Sequence, residues 1–167
     1  MTKILRLIFI LLLSFPSAFG QTQNLILTRE QNNKWLDSLK ILQLDQQLFA
    51  IKDRLLADTN VFIRQNYPDK IRVNDHVGER VYGDAKPFII IGGYPMIIDN
   101  KTETFKIIGL TNLLSNEFIS SIHILSPNDP TTTAIYGSAA LDGVIVMVLS
   151  KKKYLKIFKQ LQLKSNY

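Results

Sequence analysis

Two histidines and no cysteine limit the chemistry open to this chain of 167 residues. Without a thiol there is no thiolate nucleophile and no cysteine zinc cage. His76 stands among Asn74, Asp75 and Glu79, donor types that suit a cation. Ligands of suitable type do not recur there at a fixed spacing, so a solvated loop histidine is the reading. His123 lies in the run ISSIHIL at residues 119–125. No carboxylate or nucleophile stands at a recognisable offset to make it a general acid or base. Gly92-Gly93 is a candidate phosphate cradle, but no lysine-serine pair and no helix start follow it. It reads as a turn. The chain therefore points away from catalysis, with neither a cofactor nor a metal expected.

The remaining chemistry is charge. Residues 151–167 carry six lysines (Lys151, Lys152, Lys153, Lys156, Lys159 and Lys164) and no acid, whereas residues 21–150 hold 12 Lys/Arg against 14 Asp/Glu. The formal net charge of +6 thus sits at the ends of the chain. That argues against a basic nucleic-acid-binding face on the body. The lysine-rich end could make peripheral contact with an anionic membrane surface, or be a terminal helix with a solvated lysine face. Its apolar residues alternate as a strand would at Leu155, Ile157, Leu161 and Leu163, and fit a helix equally well through Tyr154, Phe158 and Leu161.

The elements that would hold these groups begin after a targeting segment. Lys3 and Arg6 precede an apolar run at residues 7–13, followed by Pro16 and small residues at Ala18-Phe19-Gly20. This has the form of a cleavable secretory signal over residues 1–20. The run is far shorter than the roughly 20 residues needed to span a bilayer. No cysteine follows it, which excludes a lipoprotein anchor at this site. Without disulfides, the exported chain must draw its stability from burial.

Thr28 and Gln31 have capping-box spacing, and Trp35, Leu39 and Leu42 recur at helical intervals, which predicts a helix over residues 29–41. Asp45 suits an N-cap, with Leu44 and Phe49 at staple positions and Leu48, Ile51 and Leu55 as the apolar stripe. That predicts a second helix over 46–57, ended by Asp58-Thr59-Asn60. Residues 61–63, 71–73 and 80–82 are short strand candidates around a turn at 67–69. Residues 86–91 form a strong strand candidate, and Gly92-Gly93 leads into a second strand at 94–98 as a hairpin. A loop at 99–102 precedes an apolar stretch at 105–114, read as a bend or short helix. In the strand at 119–125, Ile122 and Ile124 share one face, with Ser121, His123 and Leu125 on the other. Cap chemistry at 127–133 predicts a short helix at 132–136 with Gly137 at its left-handed C-terminal position. Asp142-Gly143 is a tight turn into residues 144–149, VIVMVL. These are apolar at consecutive positions, so the strand is expected to be central and buried on both faces.

Three of these segments carry a family resemblance. Residues 87–96, PFIIIGGYPM, are similar to the segment of TonB-dependent outer-membrane receptor plugs in which a strand leads through an Asp-Gly turn to a second strand. ISSIHIL resembles the plug strand usually written I-E-S-I-E-V-L. AIYGSAALDGVIVMVLS, at residues 134–150, resembles the most characteristic plug sequence, A-x-Y-G-S/x-x-A-x-G-V-I-x-I-x-T, in the variant of the SusC/RagA-like receptors. The match covers residues 86–153. Its motif residues, Gly92, Gly93, Tyr136, Gly137, Asp142 and Gly143, have structural roles. Tyr136 would pin a short helix to the sheet. The chain departs from the pattern at Gly92-Gly93, where the family has Asp-Gly, and at Ser120, where it has an acid. No energy-coupling box is evident after Gln21. Eighteen residues follow the VIVMVL run, too few to close the barrel that a receptor plug fills, at about 9–11 residues per membrane strand.

The expectation is an α+β fold: a small mixed β-sheet with short helices, plug-like, preceded by two N-terminal helices. Its parts are a signal at 1–20, a helical segment at 21–60, the plug-like domain at 61–150 and a basic tail at 151–167. The expected function is that of a non-enzymatic exported protein of the periplasm or outer membrane, acting by protein interaction. An outer-membrane receptor barrel or another envelope protein would be met through the sheet edge or the N-terminal helices. The alternatives are a small-ligand binder, holding a glycan or chelate between the Gly92-Gly93 turn and the loop at 100–104, and a degenerate receptor fragment.

Overall fold

The computed structural model describes residues 25–63, 81–96, 98, 104–127 and 129–162. The signal segment, the turn at 67–69, the strand at 71–73, His76, the loop at 99–102 and Lys164 lie outside the described residues. The chain forms α1 (Arg29–Lys40), α2 (Leu44–Ala57), β1 (Val61–Ile63), β2 (Val81–Gly83), β3 (Phe88–Ile91), β4 (Tyr94–Met96), α3 (Thr104–Leu113), β5 (Ile119–Leu125), α4 (Pro130–Tyr136), β6 (Val144–Leu149) and α5 (Leu155–Gln162), with 3-10 turns after α2, after α4 and before α5. The α+β class, the mixed sheet and the two leading helices agree with the sequence reading. Among the described residues no helix is long and apolar enough to cross a membrane.

The helix starts follow local chemistry. At α1 the Gln31 amide donates to Thr28 Oγ1 at 3.1 Å, while Gln31 Oε1 accepts from the amides of Leu27 and Thr28. This reciprocal box satisfies donors that the first helical turn would leave orphaned. Thr28→Ala is expected to cost about 1 kcal/mol, read as a lower urea midpoint at unchanged slope. The start of α2 differs from expectation. Gln43 is the cap, with Gln46 Oε1 accepting from the Gln43 amide. Asp45 lies inside the first turn, where it accepts from Asn116 Nδ2 instead. Phe49 is 66% exposed, so no hydrophobic staple forms. Leu48, Ile51 and Leu55 form the buried stripe as predicted.

The main sheet has the order β4-β3-β6-β5. β3 runs parallel to β6, β4 antiparallel to β3, and β5 antiparallel to β6. β1 and β2 form a separate parallel pair. The β3–β4 hairpin turns at Gly92 and Gly93, both at positive φ (58° and 81°), as a two-residue primed turn requires. The second strand ends at Met96, two residues earlier than predicted. α4 begins at Pro130, two residues early, because the Asp129 side chain accepts from the Thr131 amide. That amide holds the Asp129 carboxyl below its usual range.

The two faces of the sheet are unequally covered. Ile89, Ile91, Ile145, Met147 and Ile119 face the main core with Leu36 and Leu39 of α1, the α2 stripe, Ile107 and Leu110 of α3, and Phe158 of α5. One apolar core therefore spans both leading helices, the sheet and the C-terminal helix. The tail, which the sequence left open between helix and strand, is a helix docked by Phe158, fully buried and edge-on to Phe118. On the other face Ile90, Ala140 and Val144 pack with Phe88, Leu125, Tyr136 and Val146 under α4 and the turn that follows it.

β5 carries a bulge between Ile119 and Ser121. Strict alternation would aim Ile119 away from Ile122 and Ile124. The extra residue, Ser120, re-phases the strand so that Ile119 joins them in the main core, fully buried. Ser120 Oγ donates to the Val148 carbonyl across the irregular pair.

Candidate interaction surface

The motif residues gather at two ends of the sheet. Gly92 and Gly93 form the hairpin turn. A Cβ on Gly92 would lie 2.5 Å from Leu149 Cδ1 and 3.3 Å from Leu155 Cδ1, whereas one on Gly93 would meet nothing within 4 Å. One side of this turn is thus closed by leucines.

Asp142 and Gly143 form the other end. The Gly143 amide donates to the Ala140 carbonyl at 2.9 Å, and the Phe88 amide donates to the Gly143 carbonyl at 2.9 Å. α1 fastens this turn from outside the resemblance: Asn32 Nδ2 donates to the Asp142 carbonyl at 2.8 Å, and Arg29 Nε to Asp142 Oδ1 at 3.2 Å. Tyr136 packs on the sheet as expected of a pin for α4. Gly137 has positive φ, but its φ 58° and ψ −138° are not the left-handed helical pair predicted. The chain turns directly into a 3-10 segment rather than closing the helix with a left-handed residue.

The strand read as buried on both faces is central, but only part of it is covered twice. Val144 and Ile145 are buried on opposite faces, whereas Val148 is 40% exposed. α4 and its turn cover the Val144 end of the second face and stop there. Beyond them Val148 stands opposite Ser121, and Val146, itself half-buried, opposite exposed His123. The covering elements add Ile135 (65% exposed) and Leu141 (51% exposed). The sheet thus keeps a half-open face with apolar side chains on it. One signal of this was readable and missed: ISSIHIL places small and polar residues where VIVMVL is apolar, so the two strands could not close the same face.

His123 projects from this open face, with no acid within its strand. Among the described residues no group of three His, Asp or Glu side chains stands close enough to hold a metal ion.

A second polar cluster lies under α2. Arg54 Nε meets Asp58 Oδ2 at 2.5 Å, with side-chain exposures of 4% and 8%. Arg54 Nη2 donates to the Ile26 and Ala85 carbonyls at 3.3 Å each, and its guanidinium lies 5.3 Å from the Trp35 ring. Lys86 Nζ donates to the Asp58 carbonyl at 2.8 Å. Burial pushes the Asp58 carboxyl above its ordinary range, with Arg54 and Lys86 pulling the other way. The cluster ties α1, α2 and the start of β3 together. Its partners are backbone carbonyls and an aromatic ring rather than an opening to solvent, so it reads as structural.

The arrangement defines an α+β protein with one mixed sheet, closed on one face by helices and half-open on the other. The chain matches no protein-family model, no curated protein and no solved structure.

Proposed function

We propose that this chain is a non-enzymatic, exported envelope protein whose plug-like domain acts by protein interaction in the periplasm or at the outer membrane. The observation that carries the reading is the half-open sheet face around Val148, with Ile135 and Leu141 exposed on the elements that cover its other end. Apolar side chains on a sheet face lose free energy in water and gain it under a partner, at roughly 25 cal/mol per Å² covered. The resemblance to receptor plugs supports the choice of partner. All three resembling segments lie in one sheet, and a plug's natural environment is the lumen of an outer-membrane barrel. The partner proposed is therefore a receptor barrel of the outer membrane.

The test is site-specific photocrosslinking in the cells that make the protein, followed by identification of the adduct. A crosslinker at Val148 is expected to capture an outer-membrane β-barrel protein. One at Ile41, 84% exposed on the helical side, is expected to capture none. Ile135→Arg together with Leu141→Arg should lower the barrel adduct formed at Val148 by about tenfold or more, with the melting temperature within a few degrees of the parent. Capture at Ile41 and not at Val148 would place the partner on the helices and sink the assignment of this face. No barrel adduct from any exposed position would sink the proposed partner.

A further inference from the structure

The C-terminal helix, with the lysine run that leads into it, carries a second surface, independent of the open sheet face. We infer that it adsorbs to the anionic headgroups of a membrane by charge alone, without inserting. The distinction follows from what α5 has already buried. A lysine-rich amphipathic helix ordinarily binds membranes by sinking its apolar face among the acyl chains. Here that face is occupied. Phe158 is fully buried against Phe118, Leu155 and Leu161 are half-buried, and a Cβ on Gly109 of α3 would lie 3.1 Å from Leu161 Cδ2. Inserting α5 would require pulling Phe158 out of the core.

What faces outward is mostly cationic, with Ile157 of α5 37% exposed among the lysines. Lys151, Lys152, Lys153 and Lys156 are exposed and Lys159 is half-exposed. Among the described residues none of these five ammonium groups meets a carboxylate. Glu117 is on the adjoining turn, where its backbone carbonyl accepts from Ser150 Oγ, and none of the five pairs with it. The lysines lie on and beside tyrosines instead. Lys159 Nζ is 4.0 Å from the Tyr94 ring centroid, and Lys153 and Lys151 are 5.4 Å and 6.0 Å from that of Tyr154. Half-exposed tyrosines among lysines suit a headgroup layer, where a ring can lie against the apolar boundary while its hydroxyl stays wet. Each lysine near an anionic surface contributes about a fivefold gain in partitioning, falling off within a Debye length.

The test is co-sedimentation of the full chain with vesicles of phosphatidylcholine containing about 30% phosphatidylglycerol, against vesicles of phosphatidylcholine alone. At about 50 mM salt the chain is expected to prefer the anionic vesicles, and to lose that preference near 500 mM. Lys151→Gln, Lys152→Gln and Lys153→Gln combined should weaken anionic partitioning about a hundredfold, with unchanged near-ultraviolet circular dichroism. Lys3→Gln with Arg6→Gln is the control for the signal segment, and should leave most of the preference in place. Unchanged partitioning of the triple variant, or loss of the whole preference in the control, would overturn the assignment to this lysine-rich segment. Salt-resistant binding, equal on both vesicles, would mean insertion and overturn adsorption by charge. Capture by heparin with no binding to either vesicle would overturn the lipid surface as the partner.

Discussion

Gly143→Val is expected to destabilise the fold by roughly 3–5 kcal/mol, combining backbone strain at positive φ with overpacking. Gly143 has φ 86°, a conformation that a β-branched residue adopts only under strain. Its Cβ would lie 2.5 Å from Leu36 Cδ1 and 3.2 Å from the Leu125 carbonyl oxygen. Leu36 could shift, but it is 1% exposed and in the main core; the carbonyl belongs to β5 and cannot move without disturbing its pairing. The same glycine accepts from the Phe88 amide and so helps set the register of β3 on β6. Natural domains hold only about 5–15 kcal/mol in total. Urea unfolding should show the midpoint falling at unchanged slope, or no cooperative transition at all. Gly93→Ala is the comparison, since its φ is also positive but a Cβ there meets nothing within 4 Å. It should cost about 1–2 kcal/mol. Equal losses in the two variants would mean that strain alone acts at Gly143 and that the approach of α1 to this turn counts for little.

That approach is what the sequence did not disclose. The turn residues Asp142 and Gly143 and the apolar run after them were legible, because a glycine before consecutive β-branched residues has a local cause. The capping box at Thr28 and the stripe through Leu48, Ile51 and Leu55 were legible for the same reason. The contact of Leu36 with Gly143, and of Asn32 with the Asp142 carbonyl, joins residues more than a hundred positions apart; no local pattern encodes it. The bulge at Ser120 was hidden too, since ISSIHIL alternates plainly enough to suggest a regular strand. Only the pairing of Ile119 with Leu149 and of Ser121 with Val148 exposes the extra residue. The open half of the second face follows from an extent rather than a pattern. α4 and its turn reach Val144 and not Val148, and helix length on a sheet is set by packing. The C-terminal helix was ambiguous because its apolar residues satisfy both periods, and the pocket for Phe158 decides between them.

The buried pair of Arg54 and Asp58 carries the second large effect. Arg54→Met should destabilise the protein by about 3–5 kcal/mol, because it leaves a carboxylate buried without its counter-charge. Arg54→Met combined with Asp58→Leu should recover most of that loss, since an apolar pair of similar volume often matches a buried ion pair. Recovery should stop short by about 1 kcal/mol, because the Ala85 carbonyl, on a fully buried residue, loses the Arg54 donor. The pH dependence gives an independent check. Burial raises the folded pKa of Asp58 above its ordinary value of 3.8, so between the two values the folded state holds a proton that the unfolded state has released. Stability from this group is therefore greatest below 3.8, declines as pH rises towards the folded value, and levels off above it. Arg54→Met removes the main opposing pull and should extend that decline to higher pH. Asp58→Leu should abolish it. Unfolding free energies of parent and variants over the same pH series separate this group from the exposed carboxylates, whose contributions cancel in the differences. A parent whose stability relative to Asp58→Leu rose with pH across this window would mean that Arg54 outweighs burial, and that the pair is a net source of stability rather than a fastening that joins α1, α2 and β3.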